Sequence, residues 1–194
     1  MLSAIIPTQN AERHLVPVLS ALVSGVTSGL LKDVVLADSG STDDTATIAD
    51  AAGCVLVHSA SDEGVRLKQG AAAARGQWLM FLSSRSLLTE GWAREVAKFM
   101  ETAERRGQSD RMAATFRLAV DGYGFGPRFD EAVAAARLAL LGLPGPGQGL
   151  IISRKFYDRL GGHQPGVRSH HRLVRRIGRR GLNALRAQVL LPER

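Results

Sequence analysis

The sequence holds one cysteine, Cys54, in 194 residues, so no disulfide can form within the chain. That usage fits a reducing compartment and leads to the expectation of a cytoplasmic protein. No apolar run reaches the roughly 20 residues that a membrane-spanning helix needs. The opening MLSAIIPTQN has no basic segment and no small-residue cleavage site, so it does not read as a secretory signal. The sequence has no P-loop, no Cys/His metal cluster and no G-x-S-x-G nucleophile elbow. Acidic residues run short in one place. Residues 168–194 carry eight arginines and one acid, Glu193, whereas residues 1–167 carry 17 basic and 17 acidic residues. The whole formal net charge of +7 therefore sits in the C-terminal segment. Such a basic tail can meet an anionic membrane surface, a phosphate or a protein partner, and would make the protein peripheral to a membrane. It reads equally well as a solvated helix face. Nucleic acid is not the expected partner.

What is present is ordinary for a soluble globular chain: 45% apolar and 22% charged residues, enough for one domain with a real core. Leu2–Ile6, Asp33–Ala37, Cys54–Val57 and Trp78–Leu82 read as strands, the second and fourth of them buried. Helices are expected over 11–24, 43–52, 65–75 and 90–106, with Trp92 in the core. In the second half we expect a strand at Met112–Ala119 and a helix over 129–141. A Pro- and Gly-rich loop over 143–149 and a short strand at Leu150–Ile152 follow. Helices over 154–160 and 169–180 complete the reading. Strands alternating with helices imply an α/β fold with a mostly parallel central sheet flanked by helices. We read one domain over 1–194, in two halves: 1–110, and 111–194 with the basic tail.

In such sheets ligands sit outside the carboxyl ends of the strands. That rule points to the loops at 7–10, 38–44, 58–66 and 83–86. Asp38 ends a strand and opens Asp-Ser-Gly-Ser-Thr-Asp-Asp. Its carboxylate could accept hydrogen bonds from a ribose or a base. The same stretch also reads as a helix start, with Ser41 or Thr42 as the cap. G-Y-G-F-G at 122–126 lacks the setting of a dinucleotide-binding turn and reads as a loop.

Four segments, in order, resemble family 2 glycosyltransferases. They are SAIIPTQN at 3–10, ADSGSTDDT at 37–45, GAAAARGQWLMFL at 70–82 and GQGLIISRKFYDRLGG at 147–162. The resemblance implies a GT-A fold, which binds a nucleotide diphosphate sugar. It also implies transfer of the sugar to an acceptor. By resemblance Pro7, Thr8, Gln9, Asn10, Asp38 and Ser41 line the nucleoside pocket.

The departures carry equal weight. In the family pattern, the strand ending at Leu82 leads into two aspartates one residue apart, which hold a divalent metal on the donor diphosphate. Here that Asp-x-Asp motif reads Ser83-Ser84-Arg85. No metal bound in the usual way is expected, and no other cofactor. Arg85, helped by Ser83, Ser84 and Ser86, could bind the diphosphate in its place, since a guanidinium grips phosphate oxygens bidentately. Lys68 stands where the family commonly has asparagine. With Arg66 and Arg85 it could complete a basic pocket for a phosphorylated ligand. The family's acidic pair before its last helix falls here on Ser169 and His170. His170, or His171 beside it, is the candidate catalytic base; the two read equally as exposed histidines of an arginine-rich segment with no chemical role. Two functions follow as expectations. One is a glycosyltransferase with an atypical, metal-independent donor site. The other is a catalytically inactive homologue that acts as a nucleotide- or phosphate-binding or protein-interaction module.

Overall fold

The computed structural model describes residues 1–59, 61–120, 143–145 and 147–191, with positions 133, 136 and 138. Its logic is visible in the first strand, β1 (Leu2–Thr8). Leu2, Ala4 and Ile6 pack into one apolar cluster and Ile5 into another, because successive side chains of a strand point to opposite faces. A strand that is apolar on both faces needs a cover on each side.

Strands β2 (Leu31–Asp38) and β4 (Trp78–Phe81) flank β1 in parallel, and β3 (Val55–His58) extends the sheet beyond β2. On the other side, β7 (Leu150–Ser153) runs antiparallel to β4. Next come β6 (Ala113–Val120), antiparallel to β7, and β8 (Leu182–Leu191), parallel to β6. The two-residue β5 (Leu87–Leu88) closes the edge. The order is β3-β2-β1-β4-β7-β6-β8-β5, a mixed and mostly parallel sheet.

One face is covered by α1 (Glu12–Thr27), α2 (Thr45–Ala51) and α4 (Trp92–Arg105), through Leu15, Ala49 and Trp92 among others. The other is covered by α3 (Glu63–Ala73), α5 (Arg154–Arg159) and α6 (Ser169–Ile177), through Leu67, Phe156 and Leu173. The small residues of α3 let it lie close to the sheet. A Cβ on Gly70 would come within 2.6 Å of Ile5 Cγ2. Arg154 then ties down the carboxyl end of α3. Its guanidinium donates to the carbonyls of Ala71, Ala74 and Gly76 at 2.8, 2.5 and 3.0 Å. A cation there satisfies carbonyls left over at a helix end and opposes the negative end of the helix dipole.

The fold differs from the sequence expectations in four places. First, β1 runs through Pro7 to Thr8. Leu82 N–H donates to Ile5 O, so Ile5 and Pro7 direct their backbone groups toward β4. Pairing with β4 stops at Ile5 opposite Phe81, so the N–H that proline lacks would have met no strand. Second, neither Ser41 nor Thr42 caps α2. Asp44 precedes it without a side-chain cap, while Asp43 Oδ1 accepts from Thr45 N–H and Oγ1–H at 3.1 and 2.6 Å. Third, the last helix stops at Ile177, where Gly178 takes φ 73°, and a 3-10 turn covers Arg179–Gly181. Fourth, residues 182–191 are not a tail but a strand inside the sheet. The expected helix over 129–141 and the G-Y-G-F-G stretch are not among the described residues that carry a full account, and Pro146 also lies outside them. No helix among the described residues is long and apolar enough to cross a membrane.

Candidate functional site

Because β1 to β4 are parallel, their carboxyl ends share one edge. Thr8 lies opposite Asp38 in register, and Asp38 opposite His58. Asp38 is buried, at 4% exposure, and is the hub of this edge. Its Oδ1 accepts from Thr8 Oγ1–H at 2.8 Å and Ser41 Oγ–H at 2.5 Å. Its Oδ2 accepts from the N–H groups of Gly40 and Ser41 at 3.0 and 2.8 Å. Four donors fill the four acceptor sites of a carboxylate. Burial pushes the Asp38 carboxyl up. The hydrogen bonds from Ser41, Thr8 and Gly40 outweigh that and hold it below its ordinary value. Gly40 adopts φ 82°, a conformation that suits glycine and lets the backbone fold back onto the carboxylate.

Asn10 locks the two loops together. It takes φ 49°, its N–H donates to Ser41 Oγ at 2.8 Å, and its Oδ1 accepts from Thr42 N–H at 2.9 Å. Arg66 reaches the same place from α3. Its Nη1 donates to Thr8 O at 3.0 Å and Ser39 Oγ at 2.8 Å. Thr8, Asn10, Asp38, Ser41 and Arg66 are therefore one connected network. Pro7 is half-buried beside it, and Gln9 is exposed. Lys68 is exposed on α3 and makes no side-chain hydrogen bond or ion pair among the described residues.

The segment after β4 is a tight turn. Ser86 N–H donates to Ser83 O, and Arg85 N–H donates to Ser83 Oγ at 3.2 Å. Ser86 is fully buried. Its Oγ accepts from Ser83 N–H at 3.2 Å and donates to Gly147 O at 2.9 Å, so it braces the turn from inside. Ser83, Ser84 and Arg85 are half-buried.

Below this turn lies an aromatic cluster. His163 packs edge-on to Phe81, with ring centroids 4.6 Å apart, and Tyr157 stacks on Phe81 at 5.2 Å. Tyr157 Oη accepts from His163 N–H and shares a 3.0 Å hydrogen bond with His163 Nδ1. His170 stacks on His163 at 5.8 Å. Far from being exposed, as the arginine-rich surroundings imply, His170 is 6% exposed and His163 is fully buried. Burial lowers both imidazoles, and each is lowered further by a neighbouring histidine. His163 falls to about 3 and His170 to about 4, so both are neutral near pH 7. The Nε2 atoms of both rings are buried without a hydrogen-bond partner. Burial pushes the Tyr157 hydroxyl up to about 12.

Asp62 joins this cluster to α3. Its Oδ1 caps α3 by accepting from Val65 N–H at 2.9 Å, and its Oδ2 accepts from Gly166 N–H at 2.7 Å. Sequence reasoning missed Asp62 and His163. The Asp62 cap, one residue before α3, was open to it. His163 had no local signal, because what buries it comes from β4 and α5. Among the described residues no three His, Cys, Asp or Glu side chains gather as a metal-binding group. A cleft of about 720 Å³ lies elsewhere, at the amino end of β4, lined by Arg75, Glu104, Ser109, Lys155 and Asp158 among others. It mixes both charge signs and is remote from the carboxyl ends of the strands.

A parallel sheet that gathers polar loops at its carboxyl edge has its ligand site there in α/β proteins. The chain belongs to glycosyl transferase family 2, whose model matches residues 3–114. No curated protein matches the sequence. Among solved structures, the chain is similar to glucosyl-3-phosphoglycerate synthase from Mycobacterium tuberculosis, crystallised with Mn2+, UDP and glucosyl-3-phosphoglycerate. The TM-score is 0.65 at 22% identity, over 99% of this chain and 70% of that one. It is also similar to a 1–349 fragment of S. aureus TarS in complex with UDP-GlcNAc. There the TM-score is 0.70 at 14% identity, over 100% of this chain and 58% of that one. These likenesses establish the GT-A glycosyltransferase fold.

Proposed function

We propose that the protein binds a nucleotide-activated sugar at the carboxyl ends of β1, β2 and β4 and transfers the sugar to an acceptor. The observation that carries this reading is the Asp38 hub. Four hydrogen bonds on one buried carboxylate fold the loop after β2 back onto the strand end and tie it to the end of β1. Preorganisation of this kind lowers the entropic cost of binding. Arg66, bonded into the same network, adds a positive charge beside the cradle.

The two solved relatives, crystallised with UDP or a UDP-sugar, support a nucleotide-sugar ligand. The metal of the first does not fit the residues here. A hard divalent cation needs anionic or carbonyl oxygens. Ser83 offers a neutral hydroxyl already bonded to Arg85 N–H, and a guanidinium at position 85 repels a cation. In our reading Arg85 itself neutralises the leaving diphosphate, through charge-assisted bonds to its oxygens.

A second reading rests on His170. An imidazole whose pKa has fallen to about 4 is a weak proton acceptor, and neither Ser169 nor His170 supplies the carboxylate of the family pattern. That favours a nucleotide- or phosphate-binding module without transfer. Nucleoside diphosphate release from UDP- and GDP-sugars, with phosphoglycerate or water as the sugar acceptor, separates the two. Release above the rate without protein supports transfer. Binding without release selects the second reading, and neither binding nor release overturns both.

A further inference from the structure

We infer that the arginine face of α6, with Val167 at its tip, is a docking surface for an anionic lipid bilayer. This inference stands apart from the question of sugar transfer. Between Asp158 and Glu193 the chain contains no acidic residue and eight arginines. Most of them find no acidic partner among the described residues. Among the described residues the ion pairs are Arg75–Asp33, Arg111–Asp110 and Arg159–Asp110, of which only the last touches this stretch. Arg172 and Arg176 donate to backbone carbonyls around residues 160–166. Arg168, Arg175, Arg179 and Arg180 are exposed and make no side-chain hydrogen bond or ion pair among the described residues.

Their placement is directional. Arg175 and Arg176 lie three and four residues after Arg172 and share the outward face of α6 with it, with Arg168 just before its first residue. Arg179 and Arg180 follow directly in the 3-10 turn. The opposite face of α6, Leu173, Val174 and Ile177, is spent on the core. What remains outward is a compact cationic surface: Asp62, beneath the loop, offsets Arg172 but leaves Arg168, Arg175, Arg179 and Arg180 without an ion pair among the described residues.

Val167 argues for lipid over other polyanions. It is 87% exposed, the most exposed large apolar side chain among the described residues. It is also held in place. Asp62 grips Gly166 N–H, Arg172 grips the carbonyls of residues 164–166, and Gly166 and Arg168 take φ 97° and 59° on either side. A rigid loop that projects an apolar tip beside arginines suits the boundary between headgroups and acyl chains. Single-stranded nucleic acid would call for aromatic platforms, and no exposed aromatic is found among the described residues. The loop leads into Ser169 and His170, so docking would set the carboxyl-edge site against the membrane.

The test is flotation of the full chain with vesicles of phosphatidylcholine alone and of phosphatidylcholine with phosphatidylglycerol. We expect binding to the anionic vesicles only. It should weaken as salt shortens the Debye length from about 10 Å at 0.1 M to about 3 Å at 1 M. Each arginine near such a surface is worth about fivefold in partitioning, so R175S/R179S should lose about 25-fold. V167D should also weaken binding. Lys98→Glu, exposed on α4 across the sheet, should leave it intact. Circular dichroism confirms that each variant is folded. Absence of binding to anionic vesicles overturns the inference. So does equal loss in Lys98→Glu, which marks a general charge effect. Displacement of the vesicles by a mixed-sequence oligonucleotide that needs the same arginines overturns it in favour of nucleic acid.

Discussion

Asp38→Asn isolates the feature on which the site is built. In the wild type, two backbone N–H groups converge on Oδ2 and two hydroxyls on Oδ1. The asparagine carbonyl can take the place of Oδ2, but its NH2 then faces Thr8 and Ser41, which must reverse their hydrogen bonds. Ser41 Oγ already accepts from Asn10 N–H, so the reversal crowds it. A hydrogen bond to a charged group contributes about 1.5–3 kcal/mol and a neutral one about 0.5–1.5. Weakening the two bonds at Oδ2 and disturbing the two at Oδ1, less the desolvation cost that a neutral side chain avoids, leaves a loss of about 2 kcal/mol. Urea unfolding followed by the fluorescence of Trp78 and Trp92 measures it. The sign with pH follows from linkage. The folded pKa of Asp38 lies below the ordinary 3.8. Its contribution is therefore complete above that value and is lost as pH falls through the folded pKa. The gap between wild type and variant should be about 2 kcal/mol near pH 7 and should close in acid. The histidine titrations occur in both proteins and cancel. A gap under about 0.5 kcal/mol near pH 7, or one that stays constant into strong acid, would refute the hub.

Other outcomes follow from the same structure. Arg154→Lys keeps the charge but loses the fork that meets three carbonyls at the end of α3, and should cost about 1–3 kcal/mol in the same unfolding assay. His163 and His170 have folded pKa values of about 3 and 4 against an ordinary 6.5. The unfolded chain therefore binds more protons as pH falls below 6.5, and stability should decline across that window. His163→Phe should flatten the decline, which a pH series of unfolding midpoints will show.

The first half of the fold was legible because its central strands, β1, β2 and β4, are apolar runs buried in the sheet. VVLA before Asp38 and WLMFL before Ser83 are apolar runs too short for helices. Strand β8 was missed although its pattern was present. Leu185, Ala187 and Val189 turn inward while Arg186 and Gln188 turn out, a period of two that the arginine count obscured. Strand β5 is two residues long and carries no period at all. In the site, strand ends and loops were readable, and so was the polarity of Asp38. Its role as hub was not, because Thr8 comes from a strand 30 residues away. The burial of His170 was equally invisible. The sequence around it is polar and rich in arginine, while its neighbour in space is the fully buried ring of His163.

The most direct test of the account is calorimetric titration with UDP, GDP and their sugar conjugates, each with and without manganese or magnesium. The account predicts binding that is indifferent to metal and lost in Arg85→Ala. Binding that requires metal, or that survives unchanged in Arg85→Ala, would contradict it.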